Sequence, residues 1–166
     1  MKRAGLFAVC VLAGCSSQPP PAANERGPAF DPIAFFTGST HGDASLEQIF
    51  KADRTMSVDS VGKIGPAGTL TLNQRISVEG ADPRTRRWLM RRTGEGVYAG
   101  RLTDATGPVD TRAIGRAIRI RYPMKGGLQV EQWLVALPGD RALDNRLTVT
   151  KWGVRVASVH ERIAKR

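Results

Sequence analysis

The side chains able to do chemistry in this chain are few, and their spacing favours binding over turnover. Its two histidines, His41 and His160, stand near opposite ends of the folded part. His41-Gly42-Asp43 has the residue types of a beginning metal site, but no second cluster follows to complete it. His160-Glu161 sits in an alternating segment, where a surface or barrel-end role is expected. There is no Gly-x-Ser-x-Gly elbow, no Gly-x-x-x-x-Gly-Lys phosphate loop and no His-Glu-x-x-His. Carboxylates are not paired on one face at a catalytic spacing. The expectation is a protein that is not an enzyme and needs no metal and no cofactor.

A different constellation comes from the strands themselves. Four otherwise apolar faces are each interrupted by one polar residue. Gln74 lies among Leu70, Leu72, Ile76 and Val78; Arg116 among Ile114, Ile118, Ile120 and Tyr122; Gln132 among Leu128, Val130, Leu134 and Ala136; Asn145 among Leu143, Leu147 and Val149. With those faces inward, three amides and a guanidinium meet inside the fold. Buried amides must be hydrogen-bonded, and a buried cation is costly without an anion. In one reading Arg116 pairs with a protein acid such as Glu131 or Asp144, and the amides complete an internal network. In the other the group receives the polar head of an apolar ligand, with Arg116 on its carboxylate or phosphate. The sequence leaves both open.

The elements that position these residues read as strands. Leu70 to Val78 and Leu143 to Val149 alternate with a period of two, and the same pattern recurs along the chain. Strands are expected near Ala34–Gly38, Leu46–Val58, Thr69–Glu79, Thr85–Thr93, Gly96–Leu102, Arg112–Tyr122, Leu128–Leu137, Ala142–Lys151 and Val154–Arg162. Gly- and Pro-rich turns separate them, mostly of hairpin size. Asp43 to Phe50 is expected to form at most a short helical turn. The fold class is therefore all-β, an antiparallel up-and-down meander closing into a barrel of 8–9 strands with no major helix, since closure removes exposed edges. An open sandwich is the alternative. A membrane-spanning barrel is disfavoured by Arg75, Glu79, Arg87, Arg91 and Arg155 on the outward faces.

The N-terminal stretch addresses the domain. Lys2 and Arg3 precede an apolar run, Ala4 to Leu12, well short of the roughly 20 residues that span a bilayer. Leu12-Ala13-Gly14-Cys15 resembles the bacterial lipoprotein box, in which the cysteine is lipidated after the leader is removed. Residues 1–14 are thus expected to be a signal peptide, 15–33 a lipidated Cys15 with a Pro-rich tether, and 34–166 the folded domain. Ser16 behind the cysteine favours the periplasmic face of the outer membrane in the sorting scheme this box resembles. Cys10 leaves with the leader, so no thiol remains for a disulfide.

The chain carries 25 Lys and Arg against 15 Asp and Glu, a formal net charge of +10, of which the leader holds only Lys2 and Arg3. Such a balance favours anionic partners. Export argues against nucleic acid and leaves membrane head groups. Arg84, Arg86, Arg87, Arg91 and Arg92, around Trp88 and Met90, form a candidate surface for anionic contact, each charge near the surface contributing on the order of 1 kcal/mol. The plain alternative is a solvated edge.

Several short motifs occur in a telling order: Phe35-Phe36-Thr37-Gly38; Tyr98-Ala99-Gly100; Gly115-Arg116-Ala117 leading to Arg119-Ile120-Arg121-Tyr122; Glu131-Gln132-Trp133; Asn145-Arg146; and Lys151-Trp152-Gly153-Val154. Together, from about Phe35 onward, they resemble an uncharacterised family of proteobacterial lipoproteins, a domain of unknown function. The resemblance implies a lipocalin-like (calycin) barrel at the cell envelope. The chain departs from that family's pattern at Gly115-Arg116-Ala117 and Glu131-Gln132, so no role is carried over to those side chains. The function expected is binding of a small amphipathic or acyl-chain molecule, such as a fatty acid, by a domain held to the membrane through Cys15. The alternative is an envelope interaction factor with a filled barrel, acting through its arginine-rich face on a protein partner of unknown identity.

Overall fold

The structure is a computed structural model that describes Pro20 and residues 30–166. Cys15, the expected leader and most of the expected tether lie outside the described residues.

Alternating residues joined by short turns build ten antiparallel strands: β1 (Gly38–Gln48), β2 (Arg54–Ile64), β3 (Leu70–Val78), β4 (Arg84–Gly94), β5 (Val97–Leu102), β6 (Val109–Ile114), β7 (Ala117–Met124), β8 (Leu128–Ala136), β9 (Ala142–Lys151) and β10 (Val154–Lys165). Each pairs with the next, and β1 pairs with β10, so the sheet closes into a barrel. The fold class is as expected, with ten strands among the described residues in place of eight or nine.

Two expected strands are each divided. Leu46–Val58 breaks between Gln48 and Arg54, giving the end of β1 and the start of β2. The other is the segment expected to run unbroken from Arg112 to Tyr122. It folds back at Gly115-Arg116, a two-residue hairpin that pairs Ile114 with Ala117. Gly115 takes φ +56°, the left-handed backbone that such a turn needs.

Two further expectations are corrected at the start of the domain. Of the strand expected at Ala34–Gly38, residues 34–36 lie in a one-turn helix, α1 (Pro32–Phe36), and Gly38 begins β1. Asp31 caps the helix, accepting from the backbone N–H of Ile33 at 2.9 Å and Ala34 at 3.4 Å, and Pro32 stands in the first turn where its missing N–H costs nothing. Asp43 to Phe50 lies mostly in β1, whose inward residues Thr40, Gly42 and Ala44 are too small to show an apolar alternation. Pairing on both sides, to β2 and to β10, makes this segment a strand. Phe30, read as tether, is buried in the core.

The two ends of the barrel differ. At one end α1 plugs the opening, with Phe30, Phe35 and Phe36 packed against one another and against Leu70, Leu72, Tyr98, Ile118, Leu134 and Ile163. The plug seats on β2 because Gly62 has no side chain: a Cβ there would lie 1.8 Å from the Phe36 carbonyl oxygen. At the other end the turns leave a mouth.

Candidate functional site

Above the plugged end the inward side chains change from aromatic to aliphatic, and the barrel hollows. A cavity of about 530 Å³ opens at the mouth. Its middle is apolar, with Met56, Val58, Ile76, Val130, Leu147 and Val149 among its walls, and Gln48, Lys51, Arg54, Arg84 and Asp104 stand around its mouth. This volume lies within the range of small-molecule sites, about 300–1,000 Å³. Beneath it, toward the plug, only about 40 Å³ remains open.

Between the filled and hollow halves lies a polar belt. Arg86, Gln132 and Glu161 line both spaces, Gln74 faces the lower one, and Asn145 and Tyr122 face the upper one. Ser60, Gln74 and Arg86 are successive cross-strand partners on β2, β3 and β4. Gln74 donates through Nε2 to Ser60 Oγ at 3.1 Å. Its Oε1 accepts from Arg86 Nε and from Trp88 Nε1, each at 2.9 Å. Across the barrel, Gln132 Nε2 donates to Asn145 Oδ1 at 3.0 Å, and Asn145 Nδ2 donates to Glu161 Oε2 at 2.6 Å. Glu161 lies against β1 at Gly42, where a Cβ would stand 1.9 Å from Glu161 Oε1. Glycine at that position therefore makes room for the carboxyl.

The electrostatics follow from burial. Burial pushes the Glu161 carboxyl above its ordinary range, while the hydrogen bond from Asn145 and the charges of Arg86 and His41 pull it back in part. Burial likewise raises the Tyr122 phenol, whose ring meets Trp88 edge-on at 5.9 Å. Arg86 has no ion pair within 4.0 Å among the described residues, and its guanidinium carbon lies 5.7 Å from the Trp88 ring centre. Gln132 Oε1 is buried with no hydrogen-bond partner among the described residues.

Three of the four residues expected inside are there: Gln74, Gln132 and Asn145 are all buried. Arg116 is not among them. Because the chain reverses at Gly115-Arg116, Arg116 lies at the plugged end and pairs with Asp140 of the β8–β9 turn rather than with Glu131 or Asp144. The guanidinium at the belt is instead that of Arg86, from the basic cluster around Trp88, and Arg54 lines the upper space with its Nε buried.

That patch divides by strand parity. Arg84 and Arg86 share the inward face of β4 with Trp88 and Met90, and Arg84 pairs with Asp104 at 2.7 Å near the mouth. Arg87 and Arg91 lie on the outward face, with Arg87 Nε donating to Asn73 Oδ1 at 2.9 Å. Arg92 reaches Asp31 at 2.9 Å beside the plug. The five arginines therefore do not form one face. Glu161, expected at a surface or barrel end, is a central member of the belt. A bulge between Arg155 and Ala157 shifts the parity of β10 and turns Glu161 inward with Val159 and Ile163.

His41 lies on the outer side of β1, its Nδ1 2.7 Å from Asp59 Oδ1 and its Nε2 3.2 Å from Asp43 Oδ1. The Asp59 hydrogen bond is the main cause of its raised pKa. With both ring nitrogens engaged, the trio is no ligand set, and no metal-holding cluster of His, Cys, Asp and Glu occurs among the described residues. His160 Nε2 lies 2.7 Å from Asp144 Oδ1 on the outer surface.

Two aromatic side chains mark the mouth. Phe50, in the β1–β2 turn, is 97 % exposed, and Trp152, in the β9–β10 turn, is 89 % exposed. Both occupy left-handed backbone, φ +61° and +51°. Bulky residues adopt that region only at a cost in stability. The two turns are neighbours, joined through the hydrogen bond from Ile49 N to the Val156 carbonyl.

This chain matches the family described as "Protein of unknown function (DUF3833)" over residues 9–165. It belongs to that family. No curated protein matches it. Among solved structures it is similar to an S-type phycobiliprotein lyase from Guillardia theta, with 7 % identity and a TM-score of 0.64 over 81 % of this chain and 90 % of that one. It is also similar to a protein of unknown function of the DUF3598 family from Nostoc punctiforme, with 15 % identity and a TM-score of 0.63. That match covers 84 % of this chain and 51 % of the other, so the DUF3833 chain spans about half its length. At these identities the likeness is one of fold, the lipocalin-like barrel.

Proposed function

We propose that this DUF3833 protein binds one small amphipathic molecule, with an acyl-chain-like tail, in the hollow half of its barrel. The observation that carries the reading is the cavity of about 530 Å³, apolar through its middle, polar at its floor and charged at its open mouth. Burying an alkyl chain against such walls stabilises a complex by about 0.8 kcal/mol per methylene before the costs of binding are taken off. The reading is of binding without turnover. The belt residues hydrogen-bond to one another and are not set out as nucleophile and base. The barrel likeness to the phycobiliprotein lyase supports a scaffold of this kind and carries no chemistry.

The place of action in this proposal is the bacterial envelope, on the periplasmic face of the outer membrane, with the chain held through lipidated Cys15. The Leu12-Ala13-Gly14-Cys15 motif supports this. The exposed Phe50 and Trp152 at the mouth, with Lys51 and Lys151 beside them, suit a lipid surface from which an apolar ligand enters. Cys15 is 15 residues from Phe30, a span that reaches up to about 50 Å when extended. The strands of the barrel run about 35 Å or less, so an anchor beyond the plugged end still lets the mouth reach the membrane.

Native mass spectrometry of the chain purified without detergent tests the binding reading. The expected result is a co-purified lipid-like mass, or uptake of a fluorescent fatty acid by protein stripped of it. Finding neither would leave the interaction-factor alternative in its place.

A further inference from the structure

The two halves of the polar belt differ in how firmly their hydrogen bonds are directed. On one side the sense is fixed. Trp88 Nε1 can only donate, so Gln74 must present Oε1 to it and to Arg86, and Nε2 to Ser60. On the other side nothing fixes the sense except the proton of Glu161. An ionised Glu161 is an acceptor only. Asn145 must then donate to it, Gln132 must donate to Asn145, and Gln132 Oε1 is left buried without a partner. A protonated Glu161 has both a donor and an acceptor, and so permits the chain to reverse. Its O–H donates to Asn145 Oδ1, Asn145 Nδ2 donates to Gln132 Oε1, and Gln132 Nε2 is released as a free donor facing the space that Arg86 also lines.

Resting on the cavity reading above, we propose that the bound molecule enters head first and that its head is an oxyanion, held by the Arg86 guanidinium and the Gln132 amide, with Glu161 taking up one proton as it binds. Three features of the site meet in this assignment. Arg86 is a cation inside the barrel with no carboxylate within 4.0 Å among the described residues, and an incoming anion supplies its partner. The reversal gives Gln132 Oε1 a donor and turns two hydrogen-bond donors toward the head. The anion and the proton arrive together, so no net charge is added to a buried floor.

The surroundings of Glu161 agree. Glu161 shares the lining of the two spaces with Arg86 of β4, Tyr122 of β7, Gln74 of β3 and the amides of Gln132 and Asn145 on β8 and β9. The upper space also holds Arg54 of β2, Arg84 of β4 and Asp104, the last two paired with each other. β1 contributes Gly42 in contact, and His41 and Asp43 at longer range from the outer surface. Burial already raises the pKa of Glu161, and a neighbouring anion acts in the same direction.

Calorimetry with decanesulfonate and decanol, each below the concentration at which it aggregates, tests the proposal. The sulfonate stays ionised throughout, so any pH dependence belongs to the protein. With the unaltered chain, sulfonate binding is expected to take up about one proton, and Kd to rise by up to about tenfold per pH unit above the Glu161 pKa. Decanol binding is expected to take up none. Glu161→Gln keeps the amide as a permanent donor to Asn145, so it is expected to bind sulfonate at all pH values as tightly as the unaltered chain does in acid. Arg86→Met is expected to lose at least tenfold for the sulfonate and little for the alcohol. Sulfonate binding without proton uptake at any pH, or a Glu161→Gln variant that keeps the pH dependence, would overturn the proton link. Equal affinity for alcohol and sulfonate with no effect of Arg86→Met would overturn the head-group assignment while leaving the cavity reading intact. Failure of both probes to bind would overturn the cavity reading itself.

Discussion

The same ten strands enclose two interiors that behave as opposites. Toward the plug, inward positions carry Leu70, Leu72, Trp88, Met90, Tyr98 and Leu134, and with Phe36 of α1 they fill the space. Toward the mouth the equivalent positions carry Met56, Val58, Val78, Leu147, Val149 and Val159, which leave it hollow. Backbone and alternation are alike in the two halves. The difference lies in the ring systems, and it shows that one half is built for stability and the other is freed from that task.

Mutations sharpen this contrast in a graded way. The largest effect is expected from Phe36→Ala, which removes a ring from the filled half and costs about 3–5 kcal/mol in unfolding free energy, against about 1 kcal/mol or less for Val149→Ala beside the hollow. Denaturant melts of the two variants check it, and equal costs would erase the distinction. Gly62→Ala is expected to come next, at about 2–3 kcal/mol, because the new methyl meets the Phe36 carbonyl and lifts the plug; loss of Phe fluorescence burial without loss of β-sheet circular dichroism is the signature. Leu147→Trp is expected to carry the ring chemistry of the lower half into the upper one. Stability should change by less than about 1 kcal/mol, while uptake of a fluorescent fatty acid is lost.

A smaller effect concerns pH. The folded pKa of Glu161 lies above its unfolded value of 4.5, so its contribution to stability is complete below that pH and fades as pH rises through the folded pKa. His41, raised from 6.5, acts in the same direction at a higher window. Stability should therefore decline from mildly acidic toward alkaline pH, and Glu161→Gln should remove the lower part of that decline. The smallest expected change is at the mouth. Trp152→Asn relieves an unfavourable backbone and should raise stability by about 0.5–1 kcal/mol. A drop in co-sedimentation with anionic vesicles is expected to accompany it.

Much of this interior was legible in the alternation. On β3, β8 and β9 the alternation keeps its register on both sides of the one polar residue, which places Gln74, Gln132 and Asn145 inside, where they are buried. Arg116 falls outside the interior because the chain reverses at a two-residue hairpin, for which Gly115 is the signal in the sequence. Arg86 escaped notice because β4 reads as a basic cluster; that it shares parity with Trp88 and Met90 was the available clue. Glu161 was hidden by the bulge at Arg155–Ala157, which no period can anticipate. β1 left no apolar trace because its inward residues are small, and the reason appears only in three dimensions, where Gly42 lies under the Glu161 carboxyl.

The seam of the barrel has a kinetic consequence. β1 finds its second partner in β10, with Thr40 opposite Lys165 and Gln48 opposite Ala157, so every other strand is laid down between them. Such distant pairing makes closure a late and slow event. Until it occurs, the waiting edge is Ser39-Thr40-His41-Gly42-Asp43-Ala44-Ser45, short of the apolar, β-branched residues that recruit a stranger's strand. The composition that hides β1 from a reader of the sequence also hides it from other unfolded chains while the ring stands open.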